Sequence, residues 1–563
     1  MKISVFKLPA ICCGLFLGIS VAHAQLGNTL LGNQAGANIT FADSCTIIGE
    51  GAGENLTSGS YNTYFGSLAG YSNTNGTDNI LIGHRAGVSG SGFSDCVVIG
   101  NLAGSNFSGS SVNDNVLIGT QAGLSTTTGS DNIIIGEEAG LANTTGSRNV
   151  FIGEDAGKSN TSGHNNVYVG RLVGSSNTTG SFNTCIGGDP GSEDGIGPYM
   201  TGLHITTGKY NTCFGAGAGG DMSTPDGNTM IGVSSGQNTE YADKNTFIGV
   251  SAGWDNNRTN ETDNALRNTY VGYYTGFTNQ EGSDNVGIGA NADFTGKGTN
   301  GSNNRNLFIG ADIKVNGNDL IAIGYASRVT ADSSIAIGSN SLVTQKKSVA
   351  IGHQDTLTAT QSIALGADAK VTGNNSVAIG YEASVTTANK VSLGNSATTS
   401  IGGIANWTAT SDGRFKKNLR DDVPGLDFIN RLQPVTYHFN ARKLHEFRSR
   451  NSTALETAFT QKENIRYSGF IAQDVEIAAK QSNFDFSGVD VPVSAQEVYG
   501  LRYAEFSVPL VKALKELDQK AKDQEVLIEQ LEAIVKMQEE QITSLEKLGG
   551  GSTEPTQFTN SKK

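Results

Sequence analysis

A glycine that follows an apolar residue returns along most of this chain at a nearly fixed interval. That interval limits the possible folds more than any other feature. The marker stands at Gly32, Gly49, Gly66, Gly83, Gly100, Gly119, Gly136, Gly153, Gly170 and Gly187, then at Gly215, Gly232, Gly249, Gly272, Gly289 and Gly310. Eleven of those fifteen intervals are 17 residues. Beyond Gly310 the step shortens to 14, through Gly324, Gly338, Gly352, Gly366, Gly380 and Gly394. A longer unit such as Asn132-Ile133-Ile134-Ile135-Gly136-Glu137-Glu138-Ala139-Gly140 has an apolar run too short for a helix and rich in β-branched residues, so it reads as a strand. The glycines and Ser/Thr/Asn segments supply the turns. One such unit cannot bury its own strand; stacked units can, as parallel strands around a continuous core. The recurring asparagine (Asn28, Asn62, Asn79, Asn115, Asn132, Asn149, Asn166, Asn183) is expected to form a ladder of side-chain amides. Coils rising ~4.8 Å each would give a rod of roughly 105 Å.

Composition agrees with a solenoid. Glycine is 74 of 563 residues and proline only 9, which excludes collagen, and charged residues are 16%, against a usual ~25%. The net charge of -14 disfavours nucleic acid held through its phosphates, so no such partner is expected.

Residues 1–24 read as a secretory signal: Lys2 and Lys7, an apolar core from Leu8 to Val21, and Ala22-His23-Ala24, with cleavage between Ala24 and Gln25. No other apolar run approaches the ~20 residues of a membrane span. Four cysteines follow. Cys45 and Cys96 share a repeat position three coils apart, too far to bond; Cys185 and Cys213 share one in adjacent coils and could pair, or simply fill the coil wall. None has zinc spacing, and no metal or cofactor is expected. Two steps break the ladder. The one from Gly187 to Gly215 includes Tyr199, Met200, His204 and Tyr210; the one from Gly249 to Gly272 passes Trp254 and Arg258. Such insertions are surface loops, and some form binding faces. Glu137, Glu138, Glu154 and Asp155 read as a solvated face rather than as paired catalytic acids. The Asn-x-Thr triplets at Asn55, Asn143 and Asn177 read as turns.

The 14-residue units, such as Ser348-Val349-Ala350-Ile351-Gly352 and Ser376-Val377-Ala378-Ile379-Gly380, resemble the head repeats of trimeric autotransporter adhesins. The resemblance implies a parallel β-roll with three chains about one axis. It covers 311–404 closely and 25–310 by analogy only.

Beyond Trp407 the repeat stops. Three blocks follow: Ser411-Asp412-Gly413-Arg414-Phe415-Lys416-Lys417, then Gly469-Phe470-Ile471-Ala472-Gln473-Asp474-Val475-Glu476, then Leu501-Arg502-Tyr503-Ala504-Glu505-Phe506. In this order they resemble the self-cleaving intramolecular chaperone of phage endosialidases and tail fibres, over 409–547, with 441–466 expected as a variable loop. The resemblance implies a single-turnover cut of Thr410–Ser411, with Ser411 as nucleophile and Lys416 as general base; Asp412 and Arg414 would orient the loop. Chemistry sets the condition: a serine hydroxyl needs a base, and a lysine with a pKa of ~10.4 becomes one near pH 7 only when burial depresses it. A trimer interface could supply that burial. Lys417 is the rival base. Alternatively, Ser411-Asp412 is a plain turn and Lys416 a solvated lysine.

The last helix carries a heptad, with Leu514, Ala521, Ile528, Val535 and Ile542 at position a and Leu517, Gln524, Leu531, Gln538 and Leu545 at position d. It reads as a parallel coiled coil. The expected protein is mainly β: a signal (1–24), a 17-residue-period solenoid (25–310), a 14-residue roll (311–404), a small α+β chaperone (405–500), a coiled coil (501–548) and a tail (549–563). It would be an exported homotrimeric fibre with a surface, matrix or glycan ligand. Two other readings are a phage-derived tail spike acting on polysaccharide and a structural fibre without cleavage.

Overall fold

The computed structural model describes residues 27–188, 200–257, 264–296, 303–448, 455–495 and 497–549. The signal segment with Ala24 and Gln25, the loop residues Tyr199 and Arg258, and the tail beyond 549 lie outside them. The chain divides into two units, Met1–Gly394 and Asn395–Lys563.

In the first unit each apolar run is a three-residue strand. Among the described residues 22 of them, from Thr29–Leu31 to Val391–Leu393, form one parallel sheet. Ile134 lies opposite Phe151 and Phe151 opposite Tyr168; further on, Ala336 lies opposite Ala350 and Ala350 opposite Ala364. The middle residue of the strand points inward. In the longer coils it is often aromatic, and the rings stack along the axis, Phe151 on Tyr168 at 5.3 Å and Phe247 on Tyr270 at 5.3 Å. In the shorter coils it is alanine, because each such coil also contributes an inward residue from a second, seven-stranded sheet that runs from Asp293–Phe294 to Ser384–Val385. Ala336, Ala350, Val343 and Leu357 are all buried.

The outward face of the large sheet is as regular. The first and third residues of all 22 strands are Ile, Val, Leu, Phe or Thr, half-buried or exposed, and none is charged. The marker glycines are needed for space as well as conformation. At Gly136 (φ +142) an added Cβ would lie 2.3 Å from the Gly153 carbonyl oxygen, and at Gly352 (φ +154) 1.4 Å from that of Gly366.

The expected amide ladder is present and buried. The Asn166 N–H donates to Asn149 Oδ1 at 2.9 Å, and Asn149 Nδ2 donates to the Gly163 carbonyl at 2.9 Å. The pattern repeats from Asn132 through Asn285 to Asn306. Cys45 and Cys96 occupy two rungs. Each donates its backbone N–H to the asparagine of the preceding rung, Cys45 to Asn28 Oδ1 and Cys96 to Asn79 Oδ1, and each thiol donates to a carbonyl of the following coil, Gly59 at 3.5 Å and Val112 at 3.6 Å. In the shorter coils serine takes the rung. Ser348 Oγ accepts from Ser362 N at 3.4 Å and donates to the Ala359 carbonyl at 2.7 Å. A second amide ladder runs through Asn143, Asn160 and Asn177; Asn143 and Asn177 are buried, and each also donates within its turn, to the carbonyls of Gly146 and Gly180. Cys185 and Cys213 lie opposite one another as free thiols. Three of the four acids expected on the solvated face are in ion pairs: Lys158 with Glu138 and Asp155, Arg171 with Glu154.

The second unit is smaller. Helices α1 (Leu426–Ile429), α2 (Ala441–Phe447), α3 (Glu456–Glu463), α4 (Ala472–Gln481) and α5 (Ser507–Leu548) accompany an antiparallel pair, Val435–His438 with Arg466–Gly469. Phe428, Val475, Ala478, Ala479, Phe486 and Phe506 form its core. The expected variable loop at 441–466 is corrected: α2 and α3 lie there, tied by Arg442 to Glu456 and Glu463, with Ala441 and Phe459 buried. Among the described residues no helix is long and apolar enough to cross a membrane.

Two predictions follow from the ladders. Asn149→Ala strands the Asn166 N–H and leaves the Gly163 carbonyl to Asn160 Nδ2 alone, and should cost about 1–3 kcal/mol in denaturant unfolding; Asn149→Cys, which reproduces Cys45, should cost less. The second concerns Asp355, which takes the place held one and two coils earlier by Ser341 and Ser327. Those serines donate to the carbonyls of Gly352 and Gly338. Burial raises the Asp355 carboxyl to about 6, partly offset by the Ala369 N–H, with Asp368 adding to the rise and His353 opposing it. Its Oδ2 is buried without a hydrogen-bond partner. A raised carboxyl favours the fold while protonated, and that contribution is lost as pH climbs from about 4 through about 6. Asp355→Ser should therefore gain more melting temperature over the parent at pH 8 than at pH 4.5.

Candidate functional site

A strap of chain from Thr399 to Asp422 is exposed throughout, apart from a half-buried Asp412. Thr410 and Ser411 lie in its middle. The sequence bends locally for a reason that can be named: the Asp412 carboxylate caps a single 3-10 turn, Gly413–Phe415, by accepting from Arg414 N at 2.9 Å. The Arg414 guanidinium folds back on the same carboxylate, Nε to Oδ2 at 2.9 Å and Nη2 to Oδ2 at 2.6 Å, and holds it below the usual carboxylate range. The turn closes with Lys416 N donating to the Gly413 carbonyl at 3.1 Å. This reversal carries Lys416 back to Ser411, and its Nζ donates to Ser411 Oγ at 2.8 Å. Ser411, Asp412, Arg414 and Lys416 are thus brought together; Lys417 is exposed and is not the serine's partner in this arrangement.

The pair is drawn as donor lysine and acceptor serine. For the serine to be activated the direction must reverse, which requires an unprotonated amine and hence exclusion of water. Within one chain the pair is open to solvent. The apolar residues around it are uncovered as well: Trp407 is 86% exposed, Phe415 75% and Leu419 80%.

Downstream the strap is anchored to α5. Glu516 Oε2 accepts the Leu426 N–H at the start of α1 at 2.7 Å, and Lys512 pairs with Asp421 at 3.0 Å. A carboxylate at a helix start suits the free N–H groups there. An added Cβ at Gly425 would lie 2.6 Å from the Glu516 carboxylate. The second and third sequence blocks meet directly. Phe470 N donates to Tyr503 Oη at 3.1 Å, and the Phe470 ring stacks on Phe506 at 5.4 Å. Gly469 leaves room for that hydroxyl, since a Cβ there would be 2.4 Å from it. Glu516 stands in none of the three sequence blocks, and Tyr503 stands in the third with nothing to mark its partner; no local spacing reveals contacts across 90 and 33 residues. Among the described residues no group of three His, Cys, Asp or Glu is placed to hold a metal.

Two family models match the chain. The one described as chaperone of endosialidase covers residues 411–482 and starts at Ser411 itself. The YadA head domain repeat covers 321–341, 330–354 and 358–383. No curated protein matches the chain. The chain therefore carries an endosialidase-type chaperone region downstream of adhesin-type head repeats.

The contact between the second and third blocks can be tested. Gly469→Ala should push the Tyr503 hydroxyl away and cost about 1 kcal/mol, as should Tyr503→Phe. The double variant should lose clearly less than the sum in a double-mutant cycle, because Tyr503→Phe removes the group that the new methyl strikes.

Proposed function

We propose that this protein is an exported, homotrimeric, adhesin-like fibre whose C-terminal region folds and aligns three chains and then severs itself at Thr410–Ser411. The observation that carries the reading is the 2.8 Å bond from Lys416 to Ser411, the residue at which the chaperone match begins. In the proposed step Ser411 Oγ attacks the Thr410 carbonyl carbon and gives its proton to Lys416. The C–N bond breaks, with the proton passing to the Ser411 nitrogen. Water then hydrolyses the resulting ester. The products are a Thr410 carboxylate and a Ser411 with free amine and hydroxyl.

Assembly is supported by what one chain leaves uncovered. The outward sheet face is apolar or threonine over 22 strands, a continuous uncharged face of the kind that marks an interaction surface. Helix α5 leaves its heptad residues, Leu514 to Leu545, exposed along one continuous stripe. A three-stranded coiled coil would bury that stripe, with Gln524 and Gln538 fixing register; the expected span of 501–548 shortens to Ser507–Leu548, because Gly500–Leu501 is a strand and Tyr503–Phe506 a 3-10 turn. Closing three straps together would cover Trp407, Phe415 and Leu419 and dry the Ser411–Lys416 pair, so that cutting waits for assembly. Asp412 and Arg414 shape the turn. In this reading the signal (1–24) is removed after Ala24, the solenoid (25–310) and roll (311–404) form the fibre, and the chaperone (405–500) leaves with the coiled coil and tail. The fibre would act at a cell surface on a matrix or glycan ligand.

Mass spectrometry of the secreted protein tests this. The parent should yield a fragment beginning at Ser411. Ser411→Ala and Lys416→Met should remain full-length trimers, with cutting slowed by about 10²–10⁴-fold or more. Leu517→Lys with Leu531→Lys should give uncut chains that fail to trimerise. A parent that stays whole, or a cut that survives in both site variants, would defeat the reading.

A further inference from the structure

The strap is held on its upstream side too, by the helices that replace the expected loop. Just past the last roll strand, Ser396 and Ala397 are buried. Ser396 Oγ lies 3.3 Å from His445 Nδ1 of α2, and Ala397 packs in one cluster with Ala441 of α2 and Phe459 of α3. Lys462 Nζ of α3 donates to the Thr398 carbonyl at 2.7 Å, with its ammonium 5.0 Å from the centre of the Phe439 ring. From Thr399 to Ser411 every residue is exposed. The α2–α3 excursion leaves and rejoins the antiparallel strand pair. Its buried apolar side chains cluster with one another, with Phe439, Leu455 and Ala458 beside them, and with Ala397. That cluster is separate from the core around Phe428. Helices that bury little beyond their own partners and one short piece of upstream chain are built to hold that piece.

We propose that α2 and α3 form a docking surface for Ser396–Thr398, so that cutting and letting go are separate events. This rests on the self-cleavage reading. The scissile bond lies beyond Thr398 in the open strap, so breaking it severs the covalent link and leaves the grip intact. The N-terminal fragment ends at Thr410 and keeps the gripped residues; the C-terminal fragment keeps the helices. The cut chaperone stays on its product until the grip opens. In a trimer three grips act in parallel, and each one still closed raises the effective concentration of the others.

The test uses the full chain with an affinity tag after residue 563. After cutting, the tag should retain the N-terminal fragment under native conditions. Lys462→Met and His445→Ala should each shorten that retention by about tenfold, the effect of losing one charge-assisted or buried hydrogen bond. A variant that still cuts itself has folded, so early release is not unfolding. Parent fragments that separate as soon as they are cut, or variants that hold as long as the parent, overturn the proposal. If the parent does not cut itself, a protease site placed at 402–406 likewise leaves Ser396–Thr398 on one fragment and the helices on the other. Retention then reports on the grip alone, and a failure of self-cleavage is told apart from a failure of docking.

Discussion

No coil of this protein can stand by itself. A three-residue strand has its parallel partners only in the coils before and after it, and its inward side chain is covered only by theirs. The approach that makes this pairing possible is so close that a column of glycines runs the length of the stack, each facing the carbonyl of the next. A methyl group at Gly136 or Gly352 would collide with backbone, which cannot swing aside. The rest of the first unit is arranged around that closeness. Aromatic rings stack where the coil is wide, alanine suffices where a second sheet narrows it, and polar side chains sit directly above one another.

Much of this was legible because the fold is close to one-dimensional: a single period in the sequence is also a single step in space. The strands, the turn glycines and the column of asparagines follow from that. The same arithmetic explains Cys45 and Cys96, which lie 17 residues after Asn28 and Asn79 and take over rungs of the ladder. The second unit offered no such ruler. Polar, charge-rich residues at 441–466 suggested a loop, yet Arg442 uses those charges to tie two short helices together, and among the described residues there only Ala441, His445 and Phe459 are buried. Glu516 reaching back to Leu426 is a contact that no local pattern announces. The Ser411–Lys416 spacing could be noticed in the sequence, but the turn that joins the two residues depends on Asp412 capping and Arg414 folding back.

The two units share a property that connects fold to function: each leaves apolar surface uncovered. The sheet face is uncharged from its first strand to its last, the long helix shows its heptad residues to solvent, and the strap displays Trp407, Phe415 and Leu419. Any one of these would be a solubility liability on a solitary chain. Together they are the surfaces that the proposed trimer would cover, and the candidate chemistry lies on one of them.

The asparagine ladder also has a direction. Asn149 accepts from, and donates to, the coil that follows it in sequence, through Asn166 and Gly163, while rungs such as Asn79 and Asn132 also donate back to the one before. Whichever end a coil is added to, the same bonds form; what differs is the face left over. One end of the column shows side-chain amides, and the other shows the backbone groups that would answer them, so the column has two unlike ends.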